Sequence, residues 1–163
     1  MARKVFVNSR PSKYAQAVSV GSHVFQADEP VDVGGGDIGP NPQELLMASL
    51  GACASITAQM YAKRKQWNLQ SVHIDVVHER ALAPDNAESG VTKGMVDKFE
   101  MQISLAGDLS EDQRNRLFEI TIRCPIHRML SSGVKIQSRL SAEAAQAGKS
   151  SEVSQKTLVG GIE

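Results

Sequence analysis

The sequence predicts an α+β fold in which helices pack against antiparallel sheet. Three observations predict this class. Segments with alternating apolar and polar residues follow one another along the chain, two helix starts carry complete capping signatures, and no parallel β-α-β unit is evident. The predicted order of elements is βββ-α-ββ-αα-β. At 163 residues the chain has the length of one domain with a real hydrophobic core.

Three short strands open the chain as an antiparallel meander. Alternation and turn residues place these strands at residues 4–8, 14–20 and 23–27, with Arg10 in the first turn. A loop rich in Gly, Pro and Asp follows at residues 28–40. Residues 34–39 match the GxGxxG pattern, but the prolines that follow remove amides that a pyrophosphate would need, so we interpret this stretch as a loop.

A long helix begins after this loop. Asn41 can serve as N-cap, Pro42 suits the first helical position, and Glu44 completes a capping box, so we predict a helix to about Lys65. Its middle is small and apolar on nearly every face, which is typical of a helix buried all round. Full burial of such a helix is hard to achieve in one small domain, so this pattern favours burial against a second chain. The stretch is too mixed for a transmembrane span.

The second half of the chain alternates strands and short helices. We predict strands at residues 71–82 and 99–105, a loop at 83–94, helices at 110–123 and 126–130, and a last strand at 134–140. Residues 142–163 are polar and rich in Ala and Ser. The predicted organisation is therefore one domain over residues 1–140 and a mobile C-terminal tail over 141–163.

Composition excludes several classes of function. Lys plus Arg is 18 and Asp plus Glu is 18, so the chain lacks the basic surplus that a nucleic-acid or anionic-membrane partner requires. Aromatic residues are only 4%, which argues against stacking platforms for single-stranded nucleic acid. No apolar run follows the basic N-terminus, so we predict no signal peptide and, by default, a cytoplasmic and reducing setting.

The two cysteines are the candidate reactive groups, and each also has an ordinary structural interpretation. Cys53 lies in the middle of the long helix, where a free cysteine can act as a small core residue. Cys124 precedes Pro125, which makes it the N-cap of a short helix and predicts a lowered thiol pKa. Together they suggest a redox couple in which one thiolate is oxidised to sulfenic acid and the other closes a disulfide.

Two further hypotheses depend on spacing. Cys124 and His127 form half of a zinc site that His73, His78 or Cys53 would have to complete, although no second paired half-site exists. Glu44 lies nine residues before Cys53, about half a helical turn out of phase and some 13.5 Å along the axis. If both residues serve one site, the glutamate comes from a partner chain.

Two stretches resemble one known family. Residues 39–53, GPNPQELLMASLGAC, followed by residues 124–130, CPIHRML, look like the OsmC/Ohr family of osmotically inducible and organic hydroperoxide resistance proteins. The resemblance covers roughly residues 3–140. It implies an intertwined homodimer in which antiparallel sheets wrap around central helices. It also implies thiol-dependent reduction of organic hydroperoxides, and more weakly of hydrogen peroxide, by a dithiol reductant, with no metal or cofactor.

The resemblance also implies residue roles. Cys53 matches the peroxidatic cysteine, Cys124 the resolving cysteine, and Glu44 the glutamate that orients an arginine over the reactive thiol. The arginine of one family branch falls on Val33 in this chain, whereas the other branch carries it in the first hairpin turn, where Arg10 stands. The competing hypothesis is an OsmC-fold binding or redox-sensing protein that has lost the activating arginine and does not turn over.

Overall fold

The computed structural model describes residues 4–82 and 95–140 of the chain. In these ranges the elements follow the order βββ-α-ββ-αα. Their bounds are β1 Val5–Ser9, β2 Gln16–Val20, β3 His23–Ala27, α1 Pro42–Lys65, β4 Asn68–Leu82, β5 Met95–Asp108, α2 Glu111–Thr121 and α3 Pro125–Ser132. The predicted α+β class with antiparallel pairing is therefore confirmed.

Strands β1 to β3 form a three-stranded antiparallel sheet in sequence order. Val5 pairs with Val20, and Val20 pairs with His23, so each hairpin connects strands in direct succession. This sheet buries few large side chains: Val18 lies inside it, whereas Phe6 is more than half exposed. One chain therefore leaves much of the apolar surface of the meander in contact with solvent.

The loop between β3 and α1 is organised around the buried carboxylate of Asp28. Its Oδ1 accepts a hydrogen bond from the Glu29 N–H at 2.9 Å, and its Oδ2 accepts one from the Gly36 N–H at 2.8 Å. Lys13 adds a bond from its Nζ to the Gly35 carbonyl at 2.8 Å. The Gly36 amide of the glycine-rich stretch thus serves an internal carboxylate, in agreement with its interpretation as a structural loop.

Helix α1 begins where its capping signature predicts. The Asn41 Oδ1 accepts the Glu44 N–H at 2.9 Å, and the Glu44 Oε2 accepts the Asn41 N–H at 2.8 Å, so the reciprocal capping box is formed. The helix ends at Lys65, and Gln66 takes the left-handed conformation with φ 57°. The three basic residues in its last turn lie at the negative end of the helix dipole.

Strands β4 and β5 form a long antiparallel hairpin that packs on α1. Its register places His78 opposite Phe99 and Ile74 opposite Ile103. Residues at alternate positions, including Ile74 and Val76 of β4 and Phe99 and Met101 of β5, pack against Leu50 of the helix. Helices α2 and α3 also contact α1. The hairpin and the two short helices thus cover one side of the long helix.

The predicted all-round burial of α1 is not reached within one chain. The helix buries a single stripe at every fourth residue, namely Leu50, Ala54, Ala58 and Ala62. Other apolar side chains face solvent, and Met60 is 68% exposed. By length and hydropathy alone α1 is also apolar enough to cross a membrane. Its contacts with β4, α2 and α3 are typical of a core helix. The face of α1 that these elements do not contact is exposed to solvent in one chain.

The predicted last strand is wrong. Residues 134–140 form neither helix nor strand, and their apolar side chains are exposed, with Ile136 84% accessible. The alternating pattern is present in the sequence, but a strand also needs a neighbouring edge with which to exchange hydrogen bonds. No strand in the described residues pairs with this segment. The predicted loop at 83–94 and the predicted tail at 141–163 lie outside the described residues, and the boundary at residue 140 stays a prediction.

Candidate active site

Cys124 lies at the N-terminus of α3, as predicted. Its backbone is extended, Pro125 follows at the first helical position, and its Sγ accepts a hydrogen bond from the His127 N–H at 3.3 Å. The residue is 0% exposed. The short turn from α2 to α3 carries Cys124 into the core, where the Cys124 N–H donates to the Thr121 carbonyl. The thiol is therefore held in one position by the start of α3.

Burial raises the pKa of the Cys124 thiol. The hydrogen bond from the His127 N–H acts in the opposite direction, and the neighbouring Cys53 adds to the increase. The expectation that the helix N-terminus lowers the pKa of the Cys124 thiol is therefore wrong. The position of Cys124 at the N-cap of α3 was predicted correctly. Removing its sulfur from water, however, raises the thiol pKa by more than the N-terminus of α3 lowers it. Cys124 consequently remains a protonated thiol at neutral pH.

Cys53 packs against the same apolar cluster as Cys124. The cluster consists of Leu50, Ala54 and Cys124, with Cys53 partly buried beside it. Cys53 and Leu50 are three residues apart on α1, so their side chains lie on neighbouring parts of one helix face. The influence of Cys53 on the pKa of Cys124 is a second sign that the two thiols are close. The structure thus brings together two cysteines that are 71 positions apart in the sequence.

Glu44 lies in the first turn of the same helix as Cys53, with its carboxylate turned back to the Asn41 N–H. The nine-residue separation along a continuous helix puts the two side chains on different faces and about 13.5 Å apart along the axis. The glutamate is exposed, so it is accessible to a group from outside the chain. Within one chain its observed role is that of a helix cap.

Arg10 follows β1 in the first hairpin turn. Its N–H donates to the Ala15 carbonyl at 2.9 Å, which closes the turn, and its side chain is exposed. Across residues 4–82 and 95–140 the Arg10 guanidinium forms no hydrogen bond or ion pair. Val33, at the alternative arginine position, ends a single 3₁₀ turn and is exposed as well. The chain alone therefore does not bring a guanidinium to the cysteines.

A cleft of about 460 Å³ shares part of its wall with the cysteine cluster, although its lining residues include neither cysteine. Leu50 belongs to both the wall and the cluster, and Phe99 and Met101 line the cleft and pack against the cluster. The remaining lining comes from β5, α2 and α3: Asp97, Lys98, Glu100, Phe118, Ile122, His127, Leu130 and Ser131. An apolar wall with a few polar groups at its edge is typical of a site for a small organic molecule.

A polar chain that the sequence did not predict joins α1 to the hairpin. The Gln43 Nε2 lies 3.0 Å from the His78 Nδ1, and the His78 Nε2 lies 2.8 Å from the Asp97 Oδ1. The His78 ring also packs edge-on against Phe99. The one signal in the sequence was that His78 alternates in phase with Val76 and therefore faces the helix. This chain holds the first turn of α1 against the hairpin.

The zinc hypothesis gains no support from the arrangement of side chains. In the described part of the chain, no three His, Cys, Asp or Glu side chains lie together as a metal site would require. The His127 ring lies near Ser131, with its Nδ1 3.5 Å from the hydroxyl, and His78 is bonded to Asp97. A tetrahedral site would need three or four of these ligands at one point.

The fold and the site together define an α+β protein with two neighbouring thiols, one at a helix N-cap and one on the central helix. The family model for OsmC-like proteins matches residues 34–139, more than half of the chain. The chain therefore belongs to the OsmC-like family, and the predicted resemblance is confirmed. A comparison with curated proteins gave no significant match.

Solved structures share this fold at low sequence identity. An OsmC-like protein from Mycoplasma pneumoniae is 18% identical, with a TM-score of 0.63 over 80% of this chain and 88% of that one. An organic hydroperoxide resistance protein from Elizabethkingia anophelis is 16% identical, with a TM-score of 0.58 over 78% and 86%. A Legionella pneumophila protein described as an organic hydroperoxide resistance protein and a redox protein is 17% identical, with a TM-score of 0.57 over 78% and 88%. These likenesses establish the fold of the chain.

Proposed function

We propose that this protein is a thiol peroxidase that reduces organic hydroperoxides, and hydrogen peroxide more weakly, through Cys53 and Cys124. The observation that carries the proposal is the placement of both cysteines in one apolar cluster beside a cleft of about 460 Å³. Cys124 is buried and protonated, whereas Cys53 is partly accessible. This difference supports Cys53 as the thiol that meets the peroxide and Cys124 as the thiol that resolves it.

The reaction divides into three balanced steps. The Cys53 thiolate attacks the terminal peroxide oxygen, so that the sulfur is oxidised to sulfenic acid, and the O–O bond breaks to release an alkoxide, which takes up one proton to become the alcohol. The Cys124 thiol then attacks the sulfenic sulfur, the disulfide forms and water leaves. An external dithiol finally reduces the disulfide by two successive exchanges, which restores both thiols. Because the cycle requires reduced thiols, we assign the protein to the cytoplasm.

We further propose that a second copy of the chain completes the site in a homodimer. Small residues line an uncovered groove of about 340 Å³ on α1, including Ala48, Gly51 and Ala52. Such residues let another backbone approach closely. In this arrangement the partner's Glu44 would lie beside Cys53 and would orient an arginine, with Arg10 as the candidate. A guanidinium there would stabilise the thiolate and polarise the peroxide.

Two substitutions test the assignment of the thiols. Cys53→Ser should abolish consumption of cumene hydroperoxide with dihydrolipoamide as reductant. Cys124→Ser should permit one oxidation per chain and then stall, because no second thiol closes the disulfide. A matched control is His73→Gln, since His73 is exposed and its one ion-pair partner in the described residues is Asp75 at 3.2 Å. Full turnover in Cys53→Ser would contradict the proposal.

A redox-sensing or binding protein without turnover is the alternative function. The observation that favours it is Val33 at one arginine position of the family pattern, with Arg10 remote from the thiols in a single chain. A sensor would form the Cys53–Cys124 disulfide once with added peroxide. It would not continue to consume peroxide when dihydrolipoamide is present in excess. Counting peroxide molecules consumed per chain distinguishes the two functions.

A further inference from the structure

We propose that His127 is the general acid of the peroxide-cleaving step, and that it protonates the alkoxide released from a hydroperoxide bound in the cleft. The inference rests on the proposed function, which assigns the thiols but names no group that supplies this proton. The observations that carry it are the position of His127 beside Cys124, the free edge of its ring, and the state of the other charged groups that line the cleft.

His127 is fixed next to the cysteines by its own backbone. Its N–H donates to the Cys124 Sγ at 3.3 Å, so its main chain contacts one of the two sulfurs. Its half-buried side chain lines the cleft together with Leu50 and Phe99. Since these two residues also pack against the cysteine cluster, the cleft, the imidazole and the thiols belong to one continuous region.

The ring has one nitrogen engaged and one available. Its Nδ1 lies 3.5 Å from the Ser131 Oγ, which accepts a hydrogen bond from Nδ1–H when the ring is protonated. In residues 4–82 and 95–140 the His127 Nε2 forms no hydrogen bond or ion pair. The protonated imidazole would therefore present Nε2–H as a donor, and histidine is the side chain whose charge changes near neutral pH.

The other titratable groups that line the cleft are already paired. All three belong to β5: Asp97 contacts the His78 ring at 2.8 Å, and Lys98 is paired with Glu100 at 3.0 Å. The residues that α1 and α2 contribute to the lining are apolar, namely Leu50, Phe118 and Ile122. Arg128, next to His127 on α3, is exposed. Among the lining residues His127 is thus the acid without a charged partner in the described structure.

The proton balance of the step is complete with this assignment. The Cys53 thiolate forms a bond to the terminal oxygen, which keeps its own proton and becomes the sulfenic hydroxyl. The O–O bond breaks, its electron pair leaves with the alkoxide, and the imidazolium Nε2–H protonates that alkoxide to the alcohol. Neutral His127 then regains its proton from water. A positioned acid of this kind contributes roughly 10²-fold or more to the rate.

The experiment compares peroxides with poor and good leaving groups. His127→Gln keeps the backbone N–H that donates to the Cys124 Sγ but removes the acid. We expect the second-order rate constant for oxidation of Cys53 by tert-butyl hydroperoxide to fall by roughly 10²-fold. With peracetic acid, whose leaving carboxylate needs no proton, the rate constant should change by less than about threefold. His73→Gln should leave both rate constants unchanged.

A second measurement distinguishes loss of the proton donor from a change in folding caused by His127→Gln. In the unsubstituted protein the rate with tert-butyl hydroperoxide should decline in alkaline solution, because a neutral imidazole is a poor proton donor, and His127→Gln should remove this decline. Equal losses with both peroxides, or an unchanged pH profile, would overturn the assignment of His127 while leaving the thiol peroxidase intact. If the unsubstituted protein oxidises with neither peroxide, the proposed function and this inference both fail.

Discussion

Glu44 has two proposed roles, and substitution can separate them. In the chain its carboxylate accepts the Asn41 N–H at 2.8 Å and lies in the first turn of α1. In the proposed dimer it would also orient the arginine that acts on Cys53. Glutamine keeps an oxygen for the cap but loses the charge, whereas alanine loses both. The pair Glu44→Gln and Glu44→Ala therefore distinguishes helix capping from electrostatic activation.

The expected effect on stability follows from the capping geometry. Glu44→Ala removes one exposed hydrogen bond, about 0.5–1.5 kcal/mol, and a favourable charge at the helix N-terminus, about 0.3–1 kcal/mol. We therefore expect a loss of about 1–2 kcal/mol in the free energy of unfolding. Glu44→Gln should lose only the charge contribution, about 0.5 kcal/mol. Urea denaturation of both variants beside the parent chain measures these differences.

We expect the variants to rank differently in peroxide turnover than in stability. A hydrogen bond to a charged group contributes about 1.5–3 kcal/mol, so loss of the carboxylate should lower peroxide turnover by at least about tenfold in both variants. Asn41→Ala is the matched control, because it removes the other half of the capping box and leaves the charge. It should lose stability but retain more turnover than Glu44→Gln. Normal turnover in Glu44→Gln would refute the electrostatic role and leave only the cap.

Two further predictions concern the core and the loop. Leu50 is 3% exposed and packs between Ala54 and Cys124, so Leu50→Ala should lower the free energy of unfolding by about 2–5 kcal/mol in urea denaturation; a loss below about 1 kcal/mol would mean that this cluster is not a cooperative core. Burial tends to raise the pKa of Asp28, but N–H bonds from Glu29, Gly36 and Ile38 and the charge of Lys13 lower it overall. Because the pKa of Asp28 is lowered in the folded state, its carboxylate stabilises the fold at pH values above the ordinary pKa of 3.8. This contribution to the free energy of unfolding is lost as the pH falls through the lowered pKa. Asp28→Asn should therefore be less stable than the parent at pH 7, with the difference shrinking in acid; a difference independent of pH would contradict this role.

Local signals predicted the helices well. The capping boxes at Asn41–Glu44 and at Ser110–Gln113 are both formed, and Cys124 is the N-cap of α3. These features depend on residues three positions apart, so the sequence contains all of their partners. The hairpin β4–β5 was also expected, although it is longer than its clearest alternating stretch. Its added residues are stabilised by pairing across the hairpin, and single-strand alternation does not report this pairing.

Signals that depend on distant partners were less informative. Residues 134–140 alternate as a strand should, yet they form no strand, because alternation says nothing about whether an edge is available. The approach of Cys53 and Cys124 was a hypothesis drawn from the presence of two cysteines at helix positions and strengthened by the family resemblance, since periodicity cannot measure a distance over 71 positions. In the proposed dimer the arginine partner of Cys53 would depend on a second chain, which periodicity and local spacing in one sequence do not describe.

The pKa of the Cys124 thiol shows how burial can reverse a prediction made from local sequence. The start of α3 offers Cys124 a hydrogen bond, which alone would favour thiolate, but full burial reverses the outcome and raises the pKa. A resolving thiol benefits from this reversal, because a protonated and inaccessible sulfur resists direct oxidation by peroxide. In the proposed cycle the more accessible Cys53 would be oxidised first, and Cys124 would react only when a sulfenic acid forms beside it. The proposed order of oxidation would thus follow from the difference in burial between the two thiols.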